Sequence, residues 1–313
     1  MNAPCALSIV IPCYQSGAGL AALVQQAAAL RIDGGHEIVL VNDGSTDQTA
    51  ATCERLVHTA GVPITFVDLA RNYGEHNAVM AGLRHTRGEW VVTMDDDGQN
   101  PPSEVERLFR FARESGRDVV YARYARRRHA PWRNAGSRLA NRAADLVIDK
   151  PRGLYLCSFR CINAFVVEQI CRYEGPFPYV DGLIFQVTTN VDSCPVAHEE
   201  RQSGRSGYTL QRLIHLCLSM FLNFSVLPLR LSSALGMTLS LMGFLGVIVV
   251  VIEHFVSSAP WGYGSLMSAL LIFSGIQLLV LGVVGEYVGR IYLTANQRPQ
   301  SVVRRVERSE LTG

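Results

Sequence analysis

At 313 residues and 34.4 kDa, the chain has room for one large domain or two ordinary ones. A mean hydropathy of +0.15 with 18% charged residues excludes a disordered chain and is high for a wholly soluble one. The net charge of +2 gives no sign of a nucleic-acid partner, although 28 of the 29 basic residues are arginine, whose fork suits phosphate better than the ammonium of Lys150 does.

The apolarity is local. Between Leu231 and Gly289 lie 59 residues without Lys or Arg, and Glu253 and Glu286 are their formal charges. The remainder has an ordinary globular composition, so the sequence reads as a soluble domain followed by a membrane region. The eight cysteines (5, 13, 53, 157, 161, 171, 194 and 217) form no C-x-x-C pair and no zinc-finger spacing, and are expected as free thiols in a reducing compartment. No basic segment precedes a long apolar run in the first 30 residues, so no signal peptide is expected.

In chain order, Leu7-Ser-Ile-Val-Ile-Pro12 reads as a buried strand and the Ala-rich segment Leu20–Leu30 as a helix. His36-Glu-Ile-Val-Leu-Val41 is a second strand, closed by the polar turn Asn42–Asp47. A helix then runs to Thr59, with Ser45 or Thr46 placed to cap it. Ile64–Val67, Glu89–Met94 and Asp118–Tyr121 are further strands, and Asn77–Arg87 and Pro102–Glu114 the helices between them. Such alternation predicts an α/β fold with a mostly parallel sheet flanked by helices. Parallel sheets bind ligands beyond the C-terminal ends of their strands, where the loops after Ile11, Val41 and Met94 fall. Arg123–Arg142 carries seven arginines, and Leu139–Glu168 is expected to be partly helical.

The expected division is a domain over 1–208, an interfacial segment over 209–230, two transmembrane helices within 231–289 and a basic tail over 290–313. Leu231–Ile252 is uncharged for 22 residues, a helix of about 33 Å against a hydrocarbon core of about 30 Å. Phe255–Gly285 is uncharged for 31 residues, with the second span expected over 266–286. The connector Glu253–Gly264 has no basic residue, whereas Arg230 precedes the first span and Arg290, Arg298, Arg304, Arg305 and Arg308 follow the second. The positive-inside rule therefore predicts a multi-pass protein with both termini cytoplasmic.

The sharpest chemical signal is Met94-Asp95-Asp96-Asp97-Gly98-Gln99-Asn100-Pro101-Pro102, closing a buried strand. Three adjacent carboxylates repel one another, and a cation relieves that cost. In an extended segment alternate side chains share a face, so Asp95, Asp97 and Gln99 are candidate ligands for Mg2+ or Mn2+ beside donor phosphates. A solvated turn capping the next helix is the bland alternative. Asp43, ending the second strand, suits a ribose or base. Gly17-Ala-Gly19-Leu-Ala-Ala22 approximates a dinucleotide fingerprint, but Tyr14-Gln15-Ser16 separates it from its strand.

Ile11-Pro12-Cys13-Tyr14, Val41–Asp47, Asn72-Tyr73-Gly74 and Met94–Pro102 together resemble, in order and spacing, family 2 glycosyltransferases of the GT-A fold. More narrowly the chain resembles polyprenyl-phosphate glycosyltransferases, which include dolichol-phosphate mannose synthase and the bacterial enzymes loading glucose or aminoarabinose onto undecaprenyl phosphate. Gly285-Glu-Tyr-Val-Gly-Arg-Ile-Tyr292 with Arg298-Pro299 is similar to the two-span bacterial members.

The resemblance implies an inverting transfer of sugar from a nucleotide sugar, a UDP-sugar, to undecaprenyl phosphate at the cytoplasmic face of a bacterial inner membrane. Pro12, Tyr14, Asp43, Asp95 and Asp96 are implied to bind the nucleotide sugar, and Asp95, Asp97 and Gln99 the metal. Arg127, Arg133, Ser137, Arg201, Ser206 and Tyr208 are implied to bind acceptor and diphosphate, with Asp95, Asp97, Arg133 and Arg201 carrying catalysis. A homo-oligomer, a tetramer by family likeness, is implied as well.

Two departures stand out. Gly153-Leu154-Tyr155 occupies the place given to a family Gly-Asp-Phe/Tyr, and Gly207 stands where a Lys is common. A phosphate monoester, with a second pKa of about 6, is already dianionic and needs no general base. The alternatives are a non-catalytic relative, which Leu154 favours, and a processive synthase, which lacks its Q-x-x-R-W here.

Overall fold

The computed structural model describes residues 5–17, 19–124, 154–197, 227–257 and 263–309. Two compact units divide the chain, Met1–Ile214 with Gln297–Gly313, and His215–Asn296.

In the first unit, strands β1 (Leu7–Cys13), β2 (His36–Asn42), β3 (Ile64–Leu69) and β4 (Trp90–Thr93) alternate with helices α1 (Gly19–Ala28), α2 (Thr49–Thr59) and α3 (Glu75–Leu83). Helix α4 (Ser103–Ser115), β5 (Val119–Tyr124), β6 (Arg160–Asn163), α5 (Ala164–Cys171), α6 (Val180–Val187) and β7 (Val191–Val196) follow. The last strand, β8 (Val303–Arg308), comes after the second unit. All eight strands form one sheet of order β7-β5-β6-β4-β1-β2-β3-β8. Strand β1 pairs in parallel with β2 and β4, β2 with β3, and β5 with β7, while β6 and β8 run antiparallel to their neighbours. The sheet is thus α/β and mostly parallel, as predicted.

Continuous apolar runs explain the central strands. Leu7, Ile9, Val10 and Ile11 of β1 are wholly buried, as are Ile38 through Val41 of β2. Both faces of these strands are covered, which is how a parallel sheet stays dry. Helix α4 supplies the clearest amphipathic cover, burying Val105, Leu108, Phe109 and Ala112 and ending at Gly116 with φ +62°.

Several elements differ from the expectation. Helix α2 begins at Thr49, and the Asp47 carboxylate, not Ser45 or Thr46, accepts the Thr49 N–H at 3.0 Å. Strand β8 lies inside what the sequence presents as a basic tail. Its arginines are engaged with the sheet unit: Arg304 donates to the Ala70 carbonyl at 3.1 Å, and Arg305 reaches Glu54 at 2.8 Å. Cys5, Cys13, Cys53, Cys157, Cys161, Cys171 and Cys194 are all free thiols. Cys217 lies outside the described residues.

The second unit is a pair of long helices, α7 (Leu227–Ser257) and α8 (Tyr263–Ala295). Within α8, Ile272–Ala295 is long and apolar enough to cross a membrane, with a mean hydropathy of 1.6 and none of its apolar window buried. Helix α8 contains the whole of 266–286. Ser232–Gly246 of α7 is a shorter apolar stretch. Glu286, one of the two charges in the apolar region, pairs with Arg290 one turn on at 2.9 Å.

Candidate active site

The parallel register of β1, β2 and β4 sets their C-terminal ends side by side, and three polar loops leave from that edge. The loop after β2 is the most constrained. Asp43 is buried, and its Oδ1 accepts the Tyr73 N–H at 2.7 Å while its Oδ2 accepts the Gly74 N–H at 2.8 Å. Burial pushes its pKa up, against the pull of those two donors. Gly44 follows at φ +64°, and a Cβ there would stand 2.3 Å from the Arg71 carbonyl carbon and 2.5 Å from the Asn72 nitrogen. Only glycine lets these two loops touch. Asn42 completes the hinge by donating to Asp68 at 2.8 Å and accepting the Ser45 N–H at 3.1 Å.

The loop after β1 is pinned to its neighbours. Gln15 holds a left-handed φ of 52°, unusual for a residue with a side chain. Its N–H donates to Ser45 Oγ at 3.1 Å, and the Ser16 N–H donates to Thr49 Oγ1 at 3.0 Å. The Tyr14 N–H donates to Asp96 Oδ2 at 3.2 Å, and the Ser16 hydroxyl donates to the same oxygen. Tyr14 is 47% exposed, and Pro12, two residues before it, is half-buried.

Strand β4 ends at Thr93, so the acidic loop is not the extended segment the sequence suggested. The chain turns at Asp96 and Asp97, with Gly98 at φ +73°, and Asp97 Oδ1 accepts the Gln99 N–H at 3.0 Å. Asp95 accepts the Ser158 hydroxyl at 2.6 Å. Burial, then the Glu75 carboxylate, push the Asp95 pKa up to about 8, with Asp97 and Asp96 adding to the rise and the Ser158 hydroxyl opposing it. Asp96 is raised too, chiefly by burial.

Carboxylates raised in this way gain most from a divalent cation, and their hard oxygens suit Mg2+ or Mn2+. Among the described residues no three His, Cys, Asp or Glu side chains form a metal-holding group. Divalent cations at such sites commonly take ligand phosphates beside protein carboxylates. The acidic loop fits such an ion.

The structure gathers Pro12, near the end of β1, with Tyr14, Asp43, Asp95, Asp96, Asp97 and Gln99 on the loops beyond the C-terminal ends of β1, β2 and β4. Arg127, Arg133, Ser137, Arg201, Ser206 and Tyr208 lie outside the described residues. Sequence reasoning missed Ser16 and Ser158, which touch Asp96 and Asp95. It also quoted Tyr73 and Gly74 without seeing that they hold Asp43. A glycine at φ +93° opening α3 was the one local signal for the last of these.

Residues 8–170 match glycosyl transferase family 2, and residues 227–291 match the GtrB C-terminal hairpin. An undecaprenyl-phosphate 4-deoxy-4-formamido-L-arabinose transferase of Pseudomonas aeruginosa (strain LESB58) is 35% identical over 308 residues, covering 97% of this chain and 91% of its own. The protein of the same name from Serratia proteamaculans (strain 568) is 34% identical, covering 96% and 93%. Among solved structures, glucosyl-3-phosphoglycerate synthase from Mycobacterium tuberculosis, in complex with Mn2+, uridine diphosphate and glucosyl-3-phosphoglycerate, superimposes with a TM-score of 0.52. Its identity is 16%, over 69% of this chain and 77% of its own, which speaks for the fold alone. With a family match across more than half its length and relatives aligned nearly end to end, the chain belongs to glycosyltransferase family 2 and is a glycosyltransferase with a GT-A-like sheet and a GtrB-type C-terminal hairpin.

Proposed function

We propose that this chain transfers a sugar from a nucleotide sugar, a UDP-sugar, to undecaprenyl phosphate at the cytoplasmic face of a bacterial inner membrane, with inversion and with Mg2+ or Mn2+. The observation that carries the reading is the acidic loop Asp95–Asp97 beyond the same strand ends as the Asp43 loop, in a chain 35% identical over 97% of its length to a protein named for that acceptor.

Tyr14 and Pro12 take the base, and Asp43 fixes the Asn72–Gly74 loop around the ribose. Asp95 and Asp97, with Gln99, would hold the cation against the donor diphosphate. When bound, that cation supplies positive charge to the departing diphosphate. A phosphate oxygen of the acceptor forms the new bond to the anomeric carbon as the bond to the nucleoside diphosphate breaks on the opposite face. The acceptor is ionised before it binds, so no side chain need remove a proton. Arg133 and Arg201 are assigned to the charge that moves, with Arg127, Ser137, Ser206 and Tyr208 beside the acceptor and diphosphate phosphates.

The pairing of β3 with β8 supports two membrane spans. Strands β1 to β7 and β8 belong to one sheet, so a chain that leaves that sheet for a bilayer after β7 must return before β8. One crossing by Ile272–Ala295 needs a second, and α7, at 31 residues, is about 46 Å long and ample for a core of about 30 Å. A reporter active only in the cytoplasm, fused after Gly313, is expected to be active, and one placed in the connector 258–262 silent. The opposite pattern overturns this topology.

The deciding assay incubates the purified protein with undecaprenyl phosphate, Mn2+ and a panel of UDP-sugars. A lipid heavier by one sugar residue, with stoichiometric UDP, is the expected result. Release of free sugar with no lipid product would count against the acceptor.

A further inference from the structure

Asp95 receives a hydrogen bond from a residue that no motif of the chain singles out. Strands β4 and β6 pair antiparallel from Trp90↔Asn163 to Thr93↔Arg160. Continued two residues past the end of β4, that register sets Ser158 directly across from Asp95. Its hydroxyl donates to Asp95 Oδ2 at 2.6 Å. Two hydrogen bonds and a buried ring fix the backbone behind it. The Thr93 hydroxyl donates to the Ser158 carbonyl, the Ala122 N–H donates to the Phe159 carbonyl at 3.0 Å, and the Phe159 ring is wholly buried. A donor held this firmly selects one orientation of the carboxylate it meets.

Resting on the reading of Asp95 as a ligand to the donor's cation, we infer that Ser158 is the positioning residue for that ligand. By occupying one side of Oδ2, the hydroxyl holds the plane of the carboxylate and leaves Oδ1 and the remaining lone pair of Oδ2, either of which would be available to the cation. Partners behind a metal ligand commonly set its affinity.

The test uses the full-length protein in detergent, with Mn2+ binding in the presence of UDP read by the paramagnetic resonance of free Mn2+. Ser158→Ala is expected to weaken Mn2+ binding about 10- to 100-fold and to raise the Mn2+ concentration for half-maximal transfer alike, with KM for the lipid unchanged. Ser158→Cys, close in size but a poor donor, is expected to follow alanine. Ser158→Thr, which restores the hydroxyl, is expected to stay within a few-fold of the parent. A change in folding alone would lower the thermal melt and disturb lipid and cation dependence together. Parent-like Mn2+ binding by both Ser158→Ala and Ser158→Cys overturns the inference while leaving the cation site standing. A parent protein that binds no Mn2+ with UDP present overturns the cation site itself, and this inference with it.

Discussion

Replacing Asp97 by asparagine is expected to lower sugar transfer by about 10²- to 10³-fold, the scale seen when a group that stabilises developing negative charge is lost. Alanine is the cruder probe, because the Asp97 carboxylate has two functions. Its Oδ1 accepts the Gln99 N–H at 3.0 Å and so builds the turn that follows β4, and its charge is assigned to the cation. Asparagine keeps an oxygen in the same place and can rebuild the turn, but carries no charge. If the turn were all that mattered, Asp97→Asn would be nearly as active as the parent and Asp97→Ala would not. If the charge matters, both fail, and raising Mn2+ recovers little. The measurement is initial rate against Mn2+ in washed membranes, with the amount of each variant in the membrane fraction unchanged. Full activity of Asp97→Asn would remove Asp97 from the metal set.

The central strands were legible because their periodicity is unambiguous. Runs such as Ile38–Val41 are too apolar and too β-branched for anything but a strand covered on both faces, and the polar loops at their C-terminal ends followed from the parallel arrangement. What escaped was short, or carried charge for a reason outside its own segment. Strand β6 is four residues long and begins with arginine. Strand β7 contains Asp192 and Pro195, which an edge position tolerates because a missing N–H there costs no ladder bond. Strand β8, Val-Arg-Arg-Val-Glu-Arg, reads as a solvated tail. Its partner β3 lies more than two hundred residues away, and charged side chains suit a sheet edge. The site shows the same division. Asp43 and the Asp95–Asp97 run could be picked out from their own neighbourhoods. The bonds that aim them, from Tyr73, Gly74, Ser16 and Ser158, come from loops distant in sequence, and only the strand register brings those loops together.

Asp181→Ala is expected to be strongly destabilising to the sheet unit. Asp181 opens α6, where the helix N-terminus favours its charge, and its Oδ1 accepts both the Arg160 guanidinium of β6 and the Tyr121 hydroxyl of β5, the latter at 3.0 Å. All three residues are buried. Burial works against the Arg160 charge, and the Asp181 carboxylate outweighs it, holding the guanidinium pKa above its usual range. Arg160 Nε has no hydrogen-bond partner among the described residues, so Asp181 is the main compensation for that charge. Removing one member of a buried pair strands the other, at about 3–5 kcal/mol. For a domain of this size that is an apparent Tm lower by about 6–20 °C. Replacing both, with Arg160→Met and Asp181→Leu, removes the stranded charge, and the double variant is expected to regain most of the lost Tm. Activity separates stability from chemistry. Arg160 opens β6 two residues after Ser158, which meets Asp95, so Asp181→Ala, by loosening β6, should lose transfer activity well below its own melting temperature. The double variant, with β6 docked again on an apolar contact, should recover it. A double variant that melts like the parent but stays inactive would assign the Arg160 charge to the reaction rather than to the fold.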